Sequence, residues 1–562
     1  MKYTEHTADF CVIGGGMSGI CAAVSAARHG IKVILVQDRG VLGGNASSEV
    51  RMWICGAHGK DNRETGIIEE IMLENFYRNP QLSYPLWDMV LFDKTARQEN
   101  LTLLLNTSCL DAETQNGTIV SIRAWQSPCE TMHTVKAKFF ADCSGDSILS
   151  TLTGAEFRYG REAASEFGES IEPEKADKKT MGMSCLFQVR ETDKPQPFSP
   201  PEWAYKYKSD EDIPFREHDL SSNFWWIETG GEGDCIHGTD KYRDELLKIA
   251  YGVWDHLKNH GEHGAENYVL EWVGLLPGKR ESRRYIGKYT VTQNDVESGG
   301  NFYDIVAYGG WSMDDHFPAG IEHKTSYPTI FHPAPSPWGI PFRALCSRNI
   351  ENLLFAGRNI SVTHAALSSS RVMATCSLLG QAIGTAAAQM ILNGENTENI
   401  NIEKLQKTLM DDDCWLPGKN RSISKLSLEL NCSDNIVING KERGDENLWK
   451  GKEGDYLEYS SDKPFKLTGI RIVFDSDLNR DYQNMPCCIR LEENRFKLPE
   501  TLIKNFDILL KHADGNTKVY HFHNNHLRFR KLDIQGEVLS VKFLPLETYG
   551  AKTFNIYNFE VF

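Results

Sequence analysis

Near its start this chain carries the segment that most limits how the rest can fold. An apolar run, Phe10–Ile13, leads into Gly14-Gly15-Gly16-Met17-Ser18-Gly19. Residues 17–29 are rich in alanine and close at Gly30, and residues 32–37 form a second apolar run. Strand, glycine turn, helix and strand in that order make a βαβ start, with G-x-G-x-x-G at Gly14, Gly16 and Gly19. Gly14 turns the chain without a Cβ penalty, Gly16 lets backbone approach a pyrophosphate, and Gly19 lets helix and strand pack closely. The free N–H groups and positive dipole end of the helix start then meet the phosphate charge. Gly15, Met17 and Ser18 complete the loop expected to face such a dinucleotide.

One position departs from the usual pattern. The end of the second strand ordinarily carries an acid that holds the adenosine ribose. Here it is Gln37, followed by Asp38. The glutamine amide can hydrogen-bond hydroxyls but adds no charge. Gln37 is the expected ribose ligand and Asp38 its reserve.

With 562 residues the chain has core enough for three or four domains. Its 77 acidic and 61 basic residues give a net charge of −16, which argues against a nucleic-acid partner. No apolar run is long enough to predict a membrane span, and residues 1–10 lack the apolar centre of a signal peptide. The 14 cysteines are scattered without a CxxC pair, Cys487-Cys488 being the one close pair. That spacing predicts neither a disulfide scaffold nor a zinc framework, but buried thiols in a reducing, cytoplasmic setting. No metal ligand set is expected.

After the second strand comes a loop of small and polar residues, Gly43-Gly44-Asn45-Ala46-Ser47-Ser48, running on to Arg51 and His58. Residues 64–79 and 84–99 read as amphipathic helices, and residues 101–109 as a strand. Asn116-Gly117 signals a hairpin into residues 118–126, and a further strand, residues 135–143, ends in Cys143-Ser144-Gly145-Asp146. Residues 352–358, Asn-Leu-Leu-Phe-Ala-Gly-Arg, form a buried-strand run ending at Gly357-Arg358, before Arg371 and a small-residue helix over residues 378–392 with Gly380 and Gly384 four apart.

In this order the motifs resemble the FAD-dependent oxidoreductases of the glutathione-reductase-like superfold, over roughly residues 8–420. The resemblance implies an α/β, Rossmann-like doubly wound fold interrupted by an α+β substrate domain. It implies bound FAD contacted by the glycine turn, by Gly43, Gly44, Asn45, Ser48 and Arg51, by Gly145, and by Gly357, Arg358 and Arg371. Related succinate dehydrogenases carry a flavin-linked histidine where this chain has residues 45–48, so the implied FAD is non-covalent. Expected boundaries are 1–155 for the first FAD-binding part, 156–345 for the insert, 346–420 for the second part with a helix over residues 402–411, and 421–562 for a C-terminal domain. The last is all-β in pattern and resembles a discoidin-type, galactose-binding-like sandwich. A packing or oligomerisation role is at least as well supported there as carbohydrate binding.

Within the insert, residues 156–345 alternate charged loops, aromatics and short strand-like runs. Gly278-Lys279-Arg280-Glu281-Ser282-Arg283-Arg284 is a basic knot in an acidic chain. Arg280 and Arg283 are candidate anchors for an anionic substrate or for the FAD phosphates, with a salt-bridged structural turn as the competing reading. Residues 308–316 place Gly-Gly-Trp beside Asp315-His316, where a carboxylate facing the histidine would orient its tautomer. Only one dinucleotide motif exists, so the expected enzyme is an FAD-dependent oxidoreductase moving a hydride from a small polar, hydroxylated or carbohydrate-derived substrate to the flavin. His364 and His316 are the candidate bases, with His58 third and also a candidate substrate contact. Two alternatives stand beside this: a C=C reductase acting on a carboxylate, and a carbohydrate-binding protein with structural FAD. Sequence leaves the electron acceptor and oligomeric state open.

Overall fold

The computed structural model describes residues 1–220, 223–480, 484–485 and 497–562. Cys487 and Cys488 lie outside the described residues. Five parallel strands form the central sheet, in the order Leu353–Phe355, Phe139–Asp142, Phe10–Ile13, Val33–Val36, Leu101–Leu104. The first of these strands in sequence lies in the middle, so strand order reverses beside it. Open α/β sheets take ligands at such a point, outside the carboxyl ends of the strands. Phe10–Ile13 and Val33–Val36 are buried along their whole length, as a sheet covered on both faces requires.

Helix Met17–Arg28 packs against helix Met373–Asn393 through small residues. A Cβ on Gly380 would lie 2.0 Å from the carbonyl oxygen of Ser18, and one on Gly384 2.2 Å from that of Ala22. The glycine spacing in the second helix thus serves a backbone-to-backbone approach. That helix is long and apolar enough to cross a membrane, but its apolar surface is buried inside the protein. It begins five residues earlier than the periodicity suggests, because Val372 caps it directly after the short helix His364–Ser370.

Two expected strands each divide. Residues 101–109 split into Leu101–Leu104 of the parallel sheet and Thr107–Gln115 of a separate meander, and Asn106, at φ 52°, turns the chain between them. Residues 135–143 likewise split between Thr131–Lys136 of the meander and Phe139–Asp142 of the parallel sheet. The meander runs Lys2–Thr7, Thr131–Lys136, Thr118–Gln126, Thr107–Gln115, with the hairpin at Asn116-Gly117 as expected.

The insert is more helical than its pattern of short runs suggests. Helix Thr239–Asn259 has Leu246, Ile249, Ala250, Val253, Trp254 and Leu257 buried at three- and four-residue spacing, and packs into a core with Phe187, Phe224 and Trp226. Residues 223–228, one of the short strand-like runs of the insert, reach strand conformation only at Glu228–Thr229.

The C-terminal domain is a sandwich of two antiparallel sheets, one of five strands and one of four. Leu457, Tyr459, Ile472, Phe474, Phe506, Ile508, Phe543 and Phe559 fill the space between them. It sits on the first domain through buried charge. Glu69, 1% exposed, accepts from the Ser476 hydroxyl at 2.6 Å, from Arg480 at 2.6 Å and from Arg63 at 3.3 Å. Burial opposes the charged form of Glu69, but Arg480, Arg63 and Ser476 outweigh it and hold the carboxyl at about 2. A value below the ordinary 4.5 means this group stabilises the fold fully above that pH and loses its contribution as pH falls toward 2. Glu69→Gln should therefore melt well below the parent at neutral pH, at a cost of about 3–5 kcal/mol for breaking a buried charge cluster. Melting curves taken from neutral to acid should show that gap closing below pH 4.5. A gap constant down to pH 3 would contradict the assignment.

Candidate active site

A cavity of about 690 Å³ opens at the carboxyl ends of the parallel strands and runs under the insert. Gly14, Gly16, Met17 and Ser18 form one wall, and Gly43, Gly44 and Asn45 the next. Gly145, Gly357 and Arg358 come from the two strands that return to the same edge. One end is lined by Gln37, Asp38 and Thr107, and the other by Trp53, Trp225, Arg280, Trp311, Asp314, His316 and Arg371.

At that second end charges alternate along one wall. His316 Nδ1 lies 2.8 Å from Glu228 Oε2, and its Nε2 lies 3.2 Å from Asp314 Oδ2. Arg371 donates to Asp314 Oδ2 at 3.0 Å, and Arg280 lies 3.5 Å from Glu228. Burial disfavours charge on both acids. His316 and Arg371 nevertheless hold the Asp314 carboxyl well below the usual range, and Arg280 and His316 hold Glu228 below it. The strand Met313–His316 explains the pairing. Side chains alternate along a strand, so Asp314 and His316 share one face while Asp315 points to the other. The expected Asp315–His316 partnership is therefore replaced by Asp314–His316.

Asp315 instead reaches His364 Nε2 at 3.1 Å, while His364 Nδ1 lies 2.9 Å from Glu281 Oε2. His364 is 2% exposed and does not line the cavity. Burial works against its charge, but Glu281 and Asp315 push its pKa well above the ordinary 6.5. Neither His364 nor its partners Glu281 and Asp315 line the cavity, which removes His364 as a base there.

A model of the FAD dependent oxidoreductase family matches residues 9–409. The chain belongs to the FAD-dependent oxidoreductase family. A search of curated proteins gives no match. Among solved structures the chain is similar to a geranylgeranyl bacteriochlorophyll reductase-like protein from Thermoplasma acidophilum. Identity there is 12%, over 73% of this chain and 85% of that one, with a TM-score of 0.32. It is also similar to a variant of the E. coli quinol fumarate reductase subunit FrdA, at 12% identity over 74% of each chain and a TM-score of 0.28. The C-terminal part is similar to the family 32 carbohydrate-binding module of Streptococcus pneumoniae EndoD, at 14% identity over 26% of this chain and 99% of that one, with a TM-score of 0.19.

FAD is the cofactor, and the cavity wall fits it. A Cβ on Gly16 would meet nothing nearer than the Gly44 Cα at 3.8 Å, so this part of the wall is open to a phosphate. Four buried donors on the wall have no hydrogen-bond partner among the described residues: Arg358 Nε, Arg371 Nε, and the indole nitrogens of Trp53 and Trp311. The four side chains that carry them line the cavity and give its wall a cationic and aromatic surface that suits an acceptor-rich occupant such as a flavin dinucleotide with its substrate. Arg358 is steadied by Asp146 at 2.8 Å, and Lys279 reaches the same acid at 2.7 Å. Burial raises the Asp146 pKa, but those two cations bring it down to about 2.

Several expected contacts fall elsewhere. Gln37 lines the cavity, but its Oε1 accepts from the Gly15 N–H at 2.7 Å and its Nε2 donates to the Val41 carbonyl at 3.0 Å. Its amide braces the glycine turn, whereas Asp38, which also lines the cavity, keeps a largely exposed carboxylate. Gly15 and Gly19 stand behind the wall. A Cβ on Gly19 would lie 1.8 Å from the Gly14 carbonyl oxygen, so this glycine serves packing. Ser48 donates to Asp88, and the Arg51 guanidinium is held between the rings of Tyr84 and Trp272, at 4.2 and 4.1 Å, away from the cavity. Arg283 lies over Phe157, and His58 stacks on Trp311 at 4.2 Å from outside the cavity.

The basic knot turns out to be a clamp. Lys279 and Ser282 grip Asp146, Arg280 donates to the Ser184 hydroxyl at 2.9 Å and the Trp225 carbonyl at 2.8 Å, and Arg284 ion-pairs with Glu162. Only Arg280 and Lys279 of its basic residues line the cavity. Sequence reasoning missed Trp53, Trp225, Glu228 and Asp146. Glu228 and Trp225 carry no local motif; the strand of Glu228 pairs with Met183–Ser184, and only the packing of the insert brings its carboxylate to His316. The sandwich contributes a brace too: Asn484 Oδ1 accepts from the Ile54 N–H at 3.3 Å, beside the cavity residues Trp53 and Cys55.

Proposed function

We propose that this enzyme oxidises a small hydroxylated substrate bearing an acceptor-rich or anionic group, with His316 taking the hydroxyl proton. Bound FAD supplies the two-electron acceptor for the hydride. The observation that carries the reading is His316 at the cavity wall between Asp314 and Glu228. A neutral ring leaves one nitrogen lone pair facing a carboxylate oxygen. Proton uptake turns that repulsion into a second charge-assisted hydrogen bond. Glu228 lies behind the ring, so the Nε2 edge beside Asp314 is the one a substrate hydroxyl reaches. Arg371, Trp53 and Trp311 line the cavity beside it and orient the substrate.

The same side chains favour a second reading, reduction of an unsaturated carboxylate, in which His316 gives up a proton. An anaerobic screen separates the two. Polyols, sugars, hydroxy acids and amines are mixed with oxidised enzyme and bleaching of the flavin is followed. Unsaturated carboxylates are mixed with chemically reduced enzyme and recovery of colour is followed. The proposal expects bleaching, strongest with a hydroxylated acid. Colour recovery without any bleaching moves the assignment to the reductase, and sugar binding with neither leaves a binding protein with structural FAD. The residues at 45–48 hold no flavin-linking histidine, so heat or acid should release all the flavin into the supernatant, measured by absorbance. Yellow colour that stays with the precipitated protein would contradict non-covalent binding.

A further inference from the structure

We propose that the insert carries a structural binding site for a zinc-class divalent metal ion, made by Asp210, His218, His256 and His263. These residues come from the 3-10 turn Asp210–Asp212, the loop after it, the last turn of helix Thr239–Asn259, and the loop beyond that helix. Their ligand atoms all lie within 4.8 Å of one another. Asp210 Oδ1 is 3.2 Å from His218 Nδ1, 3.2 Å from His256 Nε2 and 3.5 Å from His263 Nε2, and His256 Nε2 is 3.3 Å from His218 Nδ1. Zinc bound at about 2.0–2.1 Å in a tetrahedron sets its ligand atoms about 3.3 Å apart. Four of the six edges already have that length.

Tautomers point the same way. His256 is 0% exposed, and its Nδ1 donates to the Tyr207 carbonyl at 3.2 Å. His218 Nε2 faces the Ile213 carbonyl at 3.4 Å. Each outer nitrogen donating to backbone leaves the inner one as a lone pair, the arrangement that orients metal-bound histidines. His263 Nε2 is buried and has no hydrogen-bond partner. Three imidazole lone pairs and a carboxylate oxygen thus converge on one point, where they repel one another unless a cation lies between them. Three nitrogens and one oxygen suit zinc and its neighbours rather than calcium or magnesium. Four protein ligands close the tetrahedron, which assigns a structural rather than a catalytic ion. The Asp210 side chain is 68% exposed and gives an entry path. Arg216, in the same pocket, donates to the Gly320 and His323 carbonyls and so does not take the cation's place.

The test uses the flavin-loaded protein with any histidine tag removed. After chelator treatment it is titrated with Zn2+ by calorimetry and with Co2+ by visible absorption. About one Zn2+ per chain should bind, Co2+ should give the intense visible bands of a tetrahedral site, and Zn2+ should raise the melting temperature. His263→Ala should weaken Zn2+ binding by roughly a hundredfold or more, since even an outer-shell change costs 10- to 100-fold, with flavin content unchanged. His218→Gln gives the same comparison from a second ligand, and the parent titration stands if either variant misfolds. A parent protein that binds no Zn2+ more tightly than these variants, or gives no tetrahedral Co2+ spectrum, overturns the proposal.

Discussion

Gly16→Ala is expected to yield a stable protein that has lost most of its flavin, whereas Gly19→Ala is expected to destabilise the fold itself. The two glycines belong to one motif but do different work. Gly16 has φ −69° and ψ 178°, an extended conformation open to any residue. Its Cβ would meet only the Gly44 Cα at 3.8 Å, so the added methyl projects to the cavity side, where the cofactor phosphates need close backbone approach. Pushing phosphates away from the helix N-terminus removes several short N–H contacts, and FAD affinity should fall on the order of a hundredfold, about 2.7 kcal/mol. Gly19 faces inward. A methyl 1.8 Å from the Gly14 carbonyl oxygen and 3.3 Å from the Cys143 Cβ must displace backbone in the central sheet. Overpacking of that kind costs about 1–3 kcal/mol or more where nothing can yield. The flavin-to-protein absorbance ratio and the melting temperature of FAD-stripped protein check both claims. Gly16→Ala should change the first and spare the second, and Gly19→Ala should lower both. Full flavin occupancy in Gly16→Ala would show that this wall does not face the phosphates.

That division also marks what the sequence could and could not carry. The glycine turn, both flanking strands, the Asn116-Gly117 hairpin and the closing Gly357-Arg358 strand are local patterns, and they stand where expected. Strand ends were harder, since Asn106 and the residues around Ala137 divide apolar runs between two sheets without a glycine or proline to mark the break. Helix Thr239–Asn259 shows its period in Leu246, Ile249, Val253 and Leu257, but its low apolar content hides it among charged neighbours. Gln37 was read from its strand-end position alone. Only the fold shows that its amide is taken up by Gly15 and Val41. The partners of the two histidines were not legible either. Adjacent Asp314 and Asp315 separate to opposite faces of one strand, and each then meets a histidine that the other cannot reach.

Those two histidines should consequently fail in different ways. His316→Gln should keep its FAD and its melting temperature within a few degrees, because Asp314 retains Arg371 and Glu228 retains Arg280. Flavin reduction by substrate in stopped-flow mixing should slow by about 10²–10⁴-fold, the usual worth of a positioned proton acceptor. The pH dependence of that rate should flatten, while the substrate concentration giving half-maximal reduction stays nearly constant. His364→Ala removes the cation from between Glu281 and Asp315 in the interior, where an uncompensated buried charge costs about 3–5 kcal/mol. Its pKa is raised on folding, so its contribution to stability is complete below the unfolded value near 6.5 and fades as pH rises through the folded value. The melting gap between parent and His364→Ala should accordingly be widest at neutral or mildly acid pH and narrow toward alkaline pH. Any folded His364→Ala should still reduce its flavin at a rate within about tenfold of the parent, since general acid–base loss begins near 10²-fold. If His364→Ala instead slows reduction a thousandfold at unchanged stability while His316→Gln does not, the proton is taken on the Asp315 face of the strand, and the assignment of the two histidines is reversed.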